Sequence, residues 1–385
     1  MSATSLAADL ALLEAGGLRR RRRTLQSPQR ARVTVDGREY VAFCSNDYLG
    51  LAANEAIVVA AQEGAARYGV GAGASHLILG HTAAHHALES ALARFVRLPA
   101  ALLFSTGYMA NLGLVTALAG RGADIFADRL NHASLNDAAL LSRAKLKRYA
   151  HVDLAALERL LDASRASRKL IVTDAVFSMD GDIAPVARLL ELAERYDAWL
   201  VLDDAHGFGV LGANGRGVLE HAAIRSPRIA YMATLGKAAG VFGAFVAGEP
   251  EVIETLVQRA RTYIYTTAAP ALLAHALVKS LEIIESERWR REHLADLVRR
   301  LKNELRDSRW RLLPSDTAIQ ALVVGGSAEA MALSERLAEH ALLVPAIRPP
   351  TVPRGTSRLR ISLSADHRVE DIERLGAALM SFQAS

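Results

Sequence analysis

The residues of this 385-residue chain best suited to covalent chemistry sit where short apolar runs end. Lys237 closes Ala233-Thr234-Leu235-Gly236-Lys237, on a turn just after the apolar run Ile229 to Met232. A lysine amine held there and partly desolvated has a lowered pKa, stays nucleophilic and can form a Schiff base with an aldehyde cofactor. The position alone decides nothing, because most lysines after a strand are solvated surface charges. Trp199-Leu200-Val201-Leu202-Asp203-Asp204-Ala205-His206-Gly207 sets two carboxylates and an imidazole at the end of another hydrophobic run. A carboxylate in that place can pair with a protonated pyridine nitrogen and keep the ring able to accept electrons. Asp and His are also good metal ligands, so a metal site is the rival reading of the same residues.

Three further stretches carry polar groups at such ends. Ser105-Thr106-Gly107-Tyr108-Met109-Ala110-Asn111 follows an apolar run and opens a helix, where backbone N–H groups and the helix dipole can hold a phosphate. A plain strand-to-helix turn explains it equally well. Thr173 to Asp182 and Asp128-Arg129-Leu130-Asn131-His132-Ala133-Ser134 add hydroxyls, carboxylates and a histidine able to stack on a planar ring. Taken singly, each is also ordinary loop capping. Gly69-Val70-Gly71-Ala72-Gly73-Ala74-Ser75 contains a G-x-G-x-x-A string, but it follows a helix instead of a strand, which excludes the dinucleotide fingerprint. His81, His85 and Glu89 share a helical i, i+4 spacing; with no third clear ligand and no H-E-x-x-H pattern, no metal is expected.

The elements that must position these groups follow from hydrophobic periodicity. Apolar runs at 101–104, 124–127, 169–173, 199–203, 229–232 and 243–246 alternate with helical stretches, which predicts a mostly parallel α/β sheet binding ligands at the carboxyl ends of its strands. Ahead of it, an amphipathic helix over 6–23, interrupted at Gly16-Gly17, and a hairpin over 32–43 turning at Asp36-Gly37 form an N-terminal arm. Behind it, a long helical region from Pro270 to about Leu305 leads to strands at 318–324, 341–345 and 359–363 and helices at 328–340 and 370–382, a smaller α+β domain. The expected division is 1–44 for the arm, 45–284 for the large domain and 285–385 for the small C-terminal domain.

Taken together, Asn46-Asp47-Tyr48-Leu49-Gly50, the Gly-rich loop, Asn131-His132-Ala133-Ser134, Val176 to Asp182, Asp203-Asp204-Ala205-His206-Gly207 and Thr234-Leu235-Gly236-Lys237 closely resemble the α-oxoamine synthases over nearly the whole chain. The resemblance implies the aspartate-aminotransferase fold (pyridoxal-phosphate fold type I) and pyridoxal 5'-phosphate as cofactor. It implies a condensation of an amino acid with an acyl thioester and loss of carbon dioxide. It makes Lys237 the cofactor's lysine and Asp203 the partner of the pyridine nitrogen. His206 contacts the ring hydroxyl, His132 stacks on the ring and binds substrate, and Ser178 holds the cofactor. Thr234 with the Gly107 and Tyr108 backbone binds the phosphate. Thr266 and Thr267 match positions that reach the phosphate of a second subunit, implying a homodimer with shared sites. Asn46 and Arg360 match ligands of the amino-acid carboxylate, Thr351 the acyl-substrate position, and Arg20, by its spacing to Asn46, the substrate arginine of the arm, with Arg19 or Arg21 as alternatives. Within the family, Ala346 to Pro353 and Gly355 to Arg360 look most like the members that join L-alanine to a pimeloyl thioester, carried by coenzyme A or a carrier protein; the sibling reading is glycine with acetyl- or succinyl-coenzyme A. Three places depart from the pattern: Asp174 where glutamate is usual, Phe208 where a small polar residue is usual, and Ala238 to Phe242, which is poor in glycine.

Composition excludes other classes. The formal charge of +5 equals the five-arginine run Arg19 to Arg23, and the remaining 41 Lys and Arg balance 41 Asp and Glu. Basicity so confined speaks against nucleic acid, which needs a broad basic surface with aromatic platforms, and a guanidinium fork suits the distal carboxylate of a dicarboxylic acyl chain. The single cysteine, Cys44, excludes an intramolecular disulfide, suits a reducing cytoplasm and is expected to pack in the core. The uncharged run Leu98 to Gly120 is broken by Pro99, Gly107 and Gly113, so no membrane span is expected.

Overall fold

The computed structural model describes residues 3–16, 19–20 and 22–383. Its central sheet has seven strands: β1 (Ala100–Phe104), β2 (Ala123–Asp128), β3 (Lys145–Tyr149), β4 (Arg168–Asp174), β5 (Trp199–Asp203), β6 (Ile229–Thr234) and β7 (Ala244–Gly248). They lie in the order β1-β7-β6-β5-β4-β2-β3, and only β7 runs against its neighbours. Alternation along each strand explains why the sheet is covered on both sides. Ile171, Leu200, Leu202, Tyr231 and Phe245 enter one apolar cluster, while Leu170, Val172, Val201, Met232 and Val246 enter the other. The strand missing from the sequence reading is β3, Lys-Leu-Lys-Arg-Tyr, whose charges fit an edge strand and hide its periodicity.

Register carries the chemistry to one end. Asp174 of β4 lies opposite Asp203 of β5, and Asp203 opposite Met232 of β6, so the carboxyl termini of the central strands finish level. The loops holding Asp128, Asp174, Asp203 and Lys237 therefore open on the same side of the sheet.

The C-terminal sheet is antiparallel, in the order Arg311–Leu312, Ile319–Gly325, Ser357–Ser362 and Ala346–Ile347. The expected long helix is two, Ala271–Ser286 and Trp289–Glu304, separated at Glu287-Arg288. The hairpin forms as expected from Arg32–Val35 and Arg38–Ala42, with Asp36 and Gly37 at φ 49° and 79°. Leu342–Leu343 then adds in parallel to Arg38–Ala42, which ties the arm to the C-terminal part. The first helix is shorter than expected: it covers Ala3–Ala15, and Arg19, Arg20, Arg22 and Arg23 follow it in non-helical chain, because Gly16 ends the run. Gly17 and Arg21 fall outside the described residues. Cys44 is exposed at a cavity mouth and does not pack in the core. No helix among the described residues is long and apolar enough to cross a membrane.

Candidate active site

Lys237 sits in the connection from β6 to β7. Leu235 donates to Gly243 O at 2.8 Å, Val241 to Leu235 O at 3.1 Å and Gly240 to Lys237 O at 2.8 Å, closing the turn tightly. Gly240 has φ 70°, and a Cβ there would lie 2.5 Å from Leu51 C and 2.7 Å from Ala52 N, so this one glycine lets the turn press on the 46–52 loop. Ala238 and Ala239 are buried and need no such freedom. Burial lowers the Lys237 amine to about 8, against the pull of the Asp203 and Asp174 charges, so a usable fraction is the free base near neutrality.

Its Nζ lies 2.9 Å from His206 Nε2, and His206 Nδ1 lies 2.6 Å from the Tyr48 hydroxyl. Tyr48 donates to Asn46 Oδ1 at 3.1 Å, where Arg360 also donates through both terminal nitrogens at 3.3 Å. The directions fix each role: Asn46 Oδ1 can only accept, so Tyr48 accepts from His206 Nδ1–H, and His206 Nε2 accepts from the lysine. Burial, then the Lys237 and Arg360 charges, hold His206 well below the usual imidazole range, in keeping with a neutral ring. Asn46 and Arg360 meet because the 43–48 loop is laced to the C-terminal sheet. Ser362 donates to Phe43 O at 2.9 Å, Ala365 to Tyr48 O at 2.8 Å, and Ser364 Oγ to Asp47 O at 2.6 Å. Arg360 Nε also donates to the Ser178 carbonyl at 2.5 Å, which brings the Ser178 loop to the same group.

On the other side, Asp203 accepts from Asn111 Nδ2 at 2.7 Å and from the Ala205 amide at 3.0 Å. Asn111 Nδ2 donates as well to Ser134 Oγ at 2.8 Å, and that hydroxyl lies 2.7 Å from His132 Nδ1. Nδ1 also accepts from the Ser134 amide at 3.3 Å, which leaves the proton of a neutral His132 on Nε2. Burial lowers the His132 pKa in spite of Asp203. The His132 backbone donates to Asp174 Oδ2 at 2.6 Å, so the aspartate that replaces the family's usual glutamate positions the histidine. Burial, then the Asp203 charge opposite it, raise Asp174 well above the usual carboxylate range.

Neighbouring carboxylates separate by strand alternation. Asp204 turns away from Asp203 and accepts from Tyr231 and the Val218 amide at 2.8 and 2.7 Å, and burial raises it to about 7. His206 engages both ring nitrogens and Asp203 both oxygens within the protein, which disfavours the metal reading of that pair. Phe208 is core: it packs edge-on to Phe95 and Phe245 with centroids 5.3 Å apart.

The helix Gly107–Leu118 starts opposite Thr234. A Cβ on Gly107 would lie 3.8 Å from Thr234 Cβ and 4.0 Å from its hydroxyl, while Thr106 caps the helix through Met109 N–H at 3.1 Å. That leaves the Gly107 and Tyr108 amides at a helix start near Thr234, whose hydroxyl donates to Gly243 O at 3.0 Å and keeps a lone pair, a setting suited to a phosphate. The Tyr108 side chain is exposed and donates to Asp137. A carboxylate, an imidazole, helix-start amides and a partly desolvated amine fit pyridoxal phosphate.

The remaining expected residues lie further out. Thr351 is exposed, on the turn after the Pro349-Pro350 bond. Arg20 is exposed and Arg19 pairs with Glu14 at 3.1 Å, whereas Arg23 lines a cavity with Leu25, Cys44 and Leu343. The last three also border the cavity that contains Lys237 and Asn46. Thr266 and Thr267 follow a surface segment that Ala268 joins to the Gly-rich loop through a 3.0 Å bond to Ala74 O. Asn111, Tyr48 and Ser134 received no role from the sequence, although a lone Asn on an otherwise apolar helix was a visible signal.

Comparison with known proteins agrees with this geometry. The model of the aminotransferase class I and II family matches residues 38–379. A protein of Nitrosospira multiformis named 8-amino-7-oxononanoate synthase is 67% identical over 94% of this chain and 91% of its own length. A serine palmitoyltransferase of S. paucimobilis with a bound PLP–myriocin aldimine superposes with a TM-score of 0.92 at 28% identity, over 98% of this chain and 96% of that one. The 8-amino-7-oxononanoate synthase of Francisella tularensis superposes with a TM-score of 0.78 at 30% identity, over 90% and 98%.

Proposed function

We infer the reaction from family: the chain belongs to the class I and II aminotransferases and, within them, to the 8-amino-7-oxononanoate synthases of the α-oxoamine synthase group. It is a pyridoxal-phosphate-dependent acyltransferase of biotin synthesis that condenses L-alanine with a pimeloyl thioester, releasing carbon dioxide and thiol. When bound, the cofactor supplies the electron sink for a carbanion at the alanine Cα.

The protein's own groups divide the remaining work. Asp203, held by Asn111 and Ala205, would keep the pyridine nitrogen protonated. His132 would pack on the ring, Ser178 and His206 would hold its polar groups, and Thr234 with the Gly107 and Tyr108 amides would bind the phosphate. The alanine carboxylate docks on Arg360 and the Asn46 amide, whose oxygen is already engaged. Lys237, as free amine, takes the proton from Cα. The Cα electron pair then forms a carbon–carbon bond to the thioester carbonyl, and the thiolate leaves. The β-keto carboxylate loses carbon dioxide, and a proton returns to Cα. His132 Nε2–H donates to the carbonyl oxygen as charge develops there. The observation that carries this reading is a half-buried lysine whose amine lies 2.9 Å from the imidazole of His206, beside Asp203 and His132.

Two finer points belong to the reading. The distal carboxylate of the pimeloyl chain pairs with a guanidinium of the arm, Arg20 by its spacing or Arg23 by its place on the cavity wall, while Thr351 contacts the acyl side; the basic arm suits either a coenzyme A or an acidic carrier-protein donor. The active unit is a homodimer in which Thr266 and Thr267 reach the partner's phosphate. The exposed Val70, Ile78, Leu79 and Tyr265 beside that segment support a covered face. Product analysis by mass spectrometry tests the chemistry: L-alanine with pimeloyl thioester must yield 8-amino-7-oxononanoate. Indifference to the pimeloyl chain, with turnover of glycine and acetyl- or succinyl-coenzyme A, would overturn the substrate assignment.

A further inference from the structure

We propose that His81, His86 and Glu89 form a binding site for one divalent transition-metal ion of the Zn2+ class. His81 lies between the short π-turn His76–Gly80 and the helix Ala83–Val96, and His86 and Glu89 are one turn apart on that helix. One donor atom from each residue lies within 4.8 Å of those of the other two. His81 Nε2 and Glu89 Oε2 are 3.8 Å apart. Donors around tetrahedral zinc, with bonds of about 2.0–2.2 Å, stand roughly 3.3–3.6 Å from each other. Closing the set takes side-chain shifts of about an ångström, and the exposed His86 has room to make them.

The outer contacts orient these donors as second shells do at metal sites. His81 Nδ1 lies 3.2 Å from His76 Nδ1, and His76 stacks on Tyr263 with centroids 5.0 Å apart, which turns His81 Nε2 toward Glu89. Glu89 Oε1 accepts from the Leu103 amide at 3.0 Å, leaving Oε2 for the ion. His85, the expected member of the triplet, is not in the set. Its Nδ1 accepts from the Thr82 amide at 3.1 Å as part of the helix cap, and its Nε2 donates to Ala269 O at 2.8 Å.

Charge points the same way. The Glu89 side chain is only 13% exposed, and its one ion-pair neighbour among the described residues is His81. A dication would satisfy that carboxylate through Oε2 and take one imidazole nitrogen from each of His81 and His86, with water in the fourth position.

The test uses the cofactor-loaded enzyme, stripped with a chelator and titrated calorimetrically with Zn2+, with metal content measured after gel filtration. The expected result is about one Zn2+ per chain and a thermal midpoint raised by the metal. His86→Ala and, separately, His81→Gln should weaken binding at least ten-fold, abolish the midpoint shift and leave turnover at the wild-type level. Co2+ should give the long-wavelength bands of a tetrahedral site in wild type and not in His86→Ala. Zinc retention at background, or retention equal in wild type and both variants, would overturn the proposal.

Discussion

Replacing Asn111 by alanine isolates what the sequence left without a role. Its amide nitrogen donates to Asp203 at 2.7 Å and to Ser134 at 2.8 Å from a side chain 1% exposed. A hydrogen bond to a charged group contributes about 1.5–3 kcal/mol and a neutral one about 1 kcal/mol. The first bond fixes the Asp203 carboxylate, the proposed partner of the pyridine nitrogen. If its loss is expressed in cofactor binding, at 1.36 kcal/mol per decade, affinity falls about 10- to 150-fold. The second bond holds Ser134, and through it His132, so kcat at saturating cofactor should also fall, by roughly five-fold if the whole of that neutral bond is lost. The assay titrates apoenzyme with pyridoxal phosphate by visible absorbance, then measures kcat with the cofactor saturating. Asn111→Asp is the informative second variant, because it keeps the shape but sets a second carboxylate against Asp203 and should bind cofactor no better than the alanine variant. A variant that melts earlier yet binds cofactor within two-fold of wild type, with unchanged kcat, would refute the reasoning and leave Asn111 a packing residue.

Asp203→Asn should cut kcat by orders of magnitude, whereas Asp204→Asn should leave it intact. Asp204 takes both its Tyr231 and Val218 bonds on Oδ2, so an amide oxygen can replace it. Because burial raises Asp204 to about 7, ionising it costs stability as pH climbs from about 4 through 7; the melting-point advantage of Asp204→Asn over wild type should grow across that window and then level off. For His151, burial alone would lower the pKa, but hydrogen bonds to Asp128 at 3.1 Å and Asp182 at 2.9 Å outweigh it and raise it to about 9. A base with a raised folded pKa stabilises fully below its unfolded value, about 6.5, and loses that contribution as pH rises through about 9. His151→Gln should therefore melt below wild type at pH 6 and converge with it above pH 10 in a thermal-shift series. Arg23→Ala and Arg20→Ala, assayed in parallel, should separate the arm's arginines: the one that meets the acyl carboxylate raises KM for pimeloyl thioester at least ten-fold without moving KM for alanine.

What the sequence made legible follows from how locally each feature is encoded. Lys237, Asp203 and His206 end apolar runs whose period is set by burial on two faces, so the strand ends could be placed from pattern, while the roles of these three residues came with the resemblance to the α-oxoamine synthases. The partners of those residues are set by tertiary approach. Asn111 reaches Asp203 across 92 positions, Arg360 reaches Asn46 across 314, and no window of sequence contains either pair. Charge hid strand β3, and Gly16 cut short a helix whose pattern was read through to Arg23. The departures from the family pattern divide on the same ground. Phe208 fills a core gap between Phe95 and Phe245, and Ala238 and Ala239 are buried where no positive φ is needed, so both are packing choices made right beside His206 and Lys237 that add no reacting group. Asp174 is different: its carboxylate holds the His132 backbone while facing Asp203 across paired strands. A glutamate there would have one more methylene to fit between β4 and the 131–134 turn, so the shorter side chain and the close 2.6 Å contact belong together. The position with the smallest change in side chain is the one that sets where His132 stands.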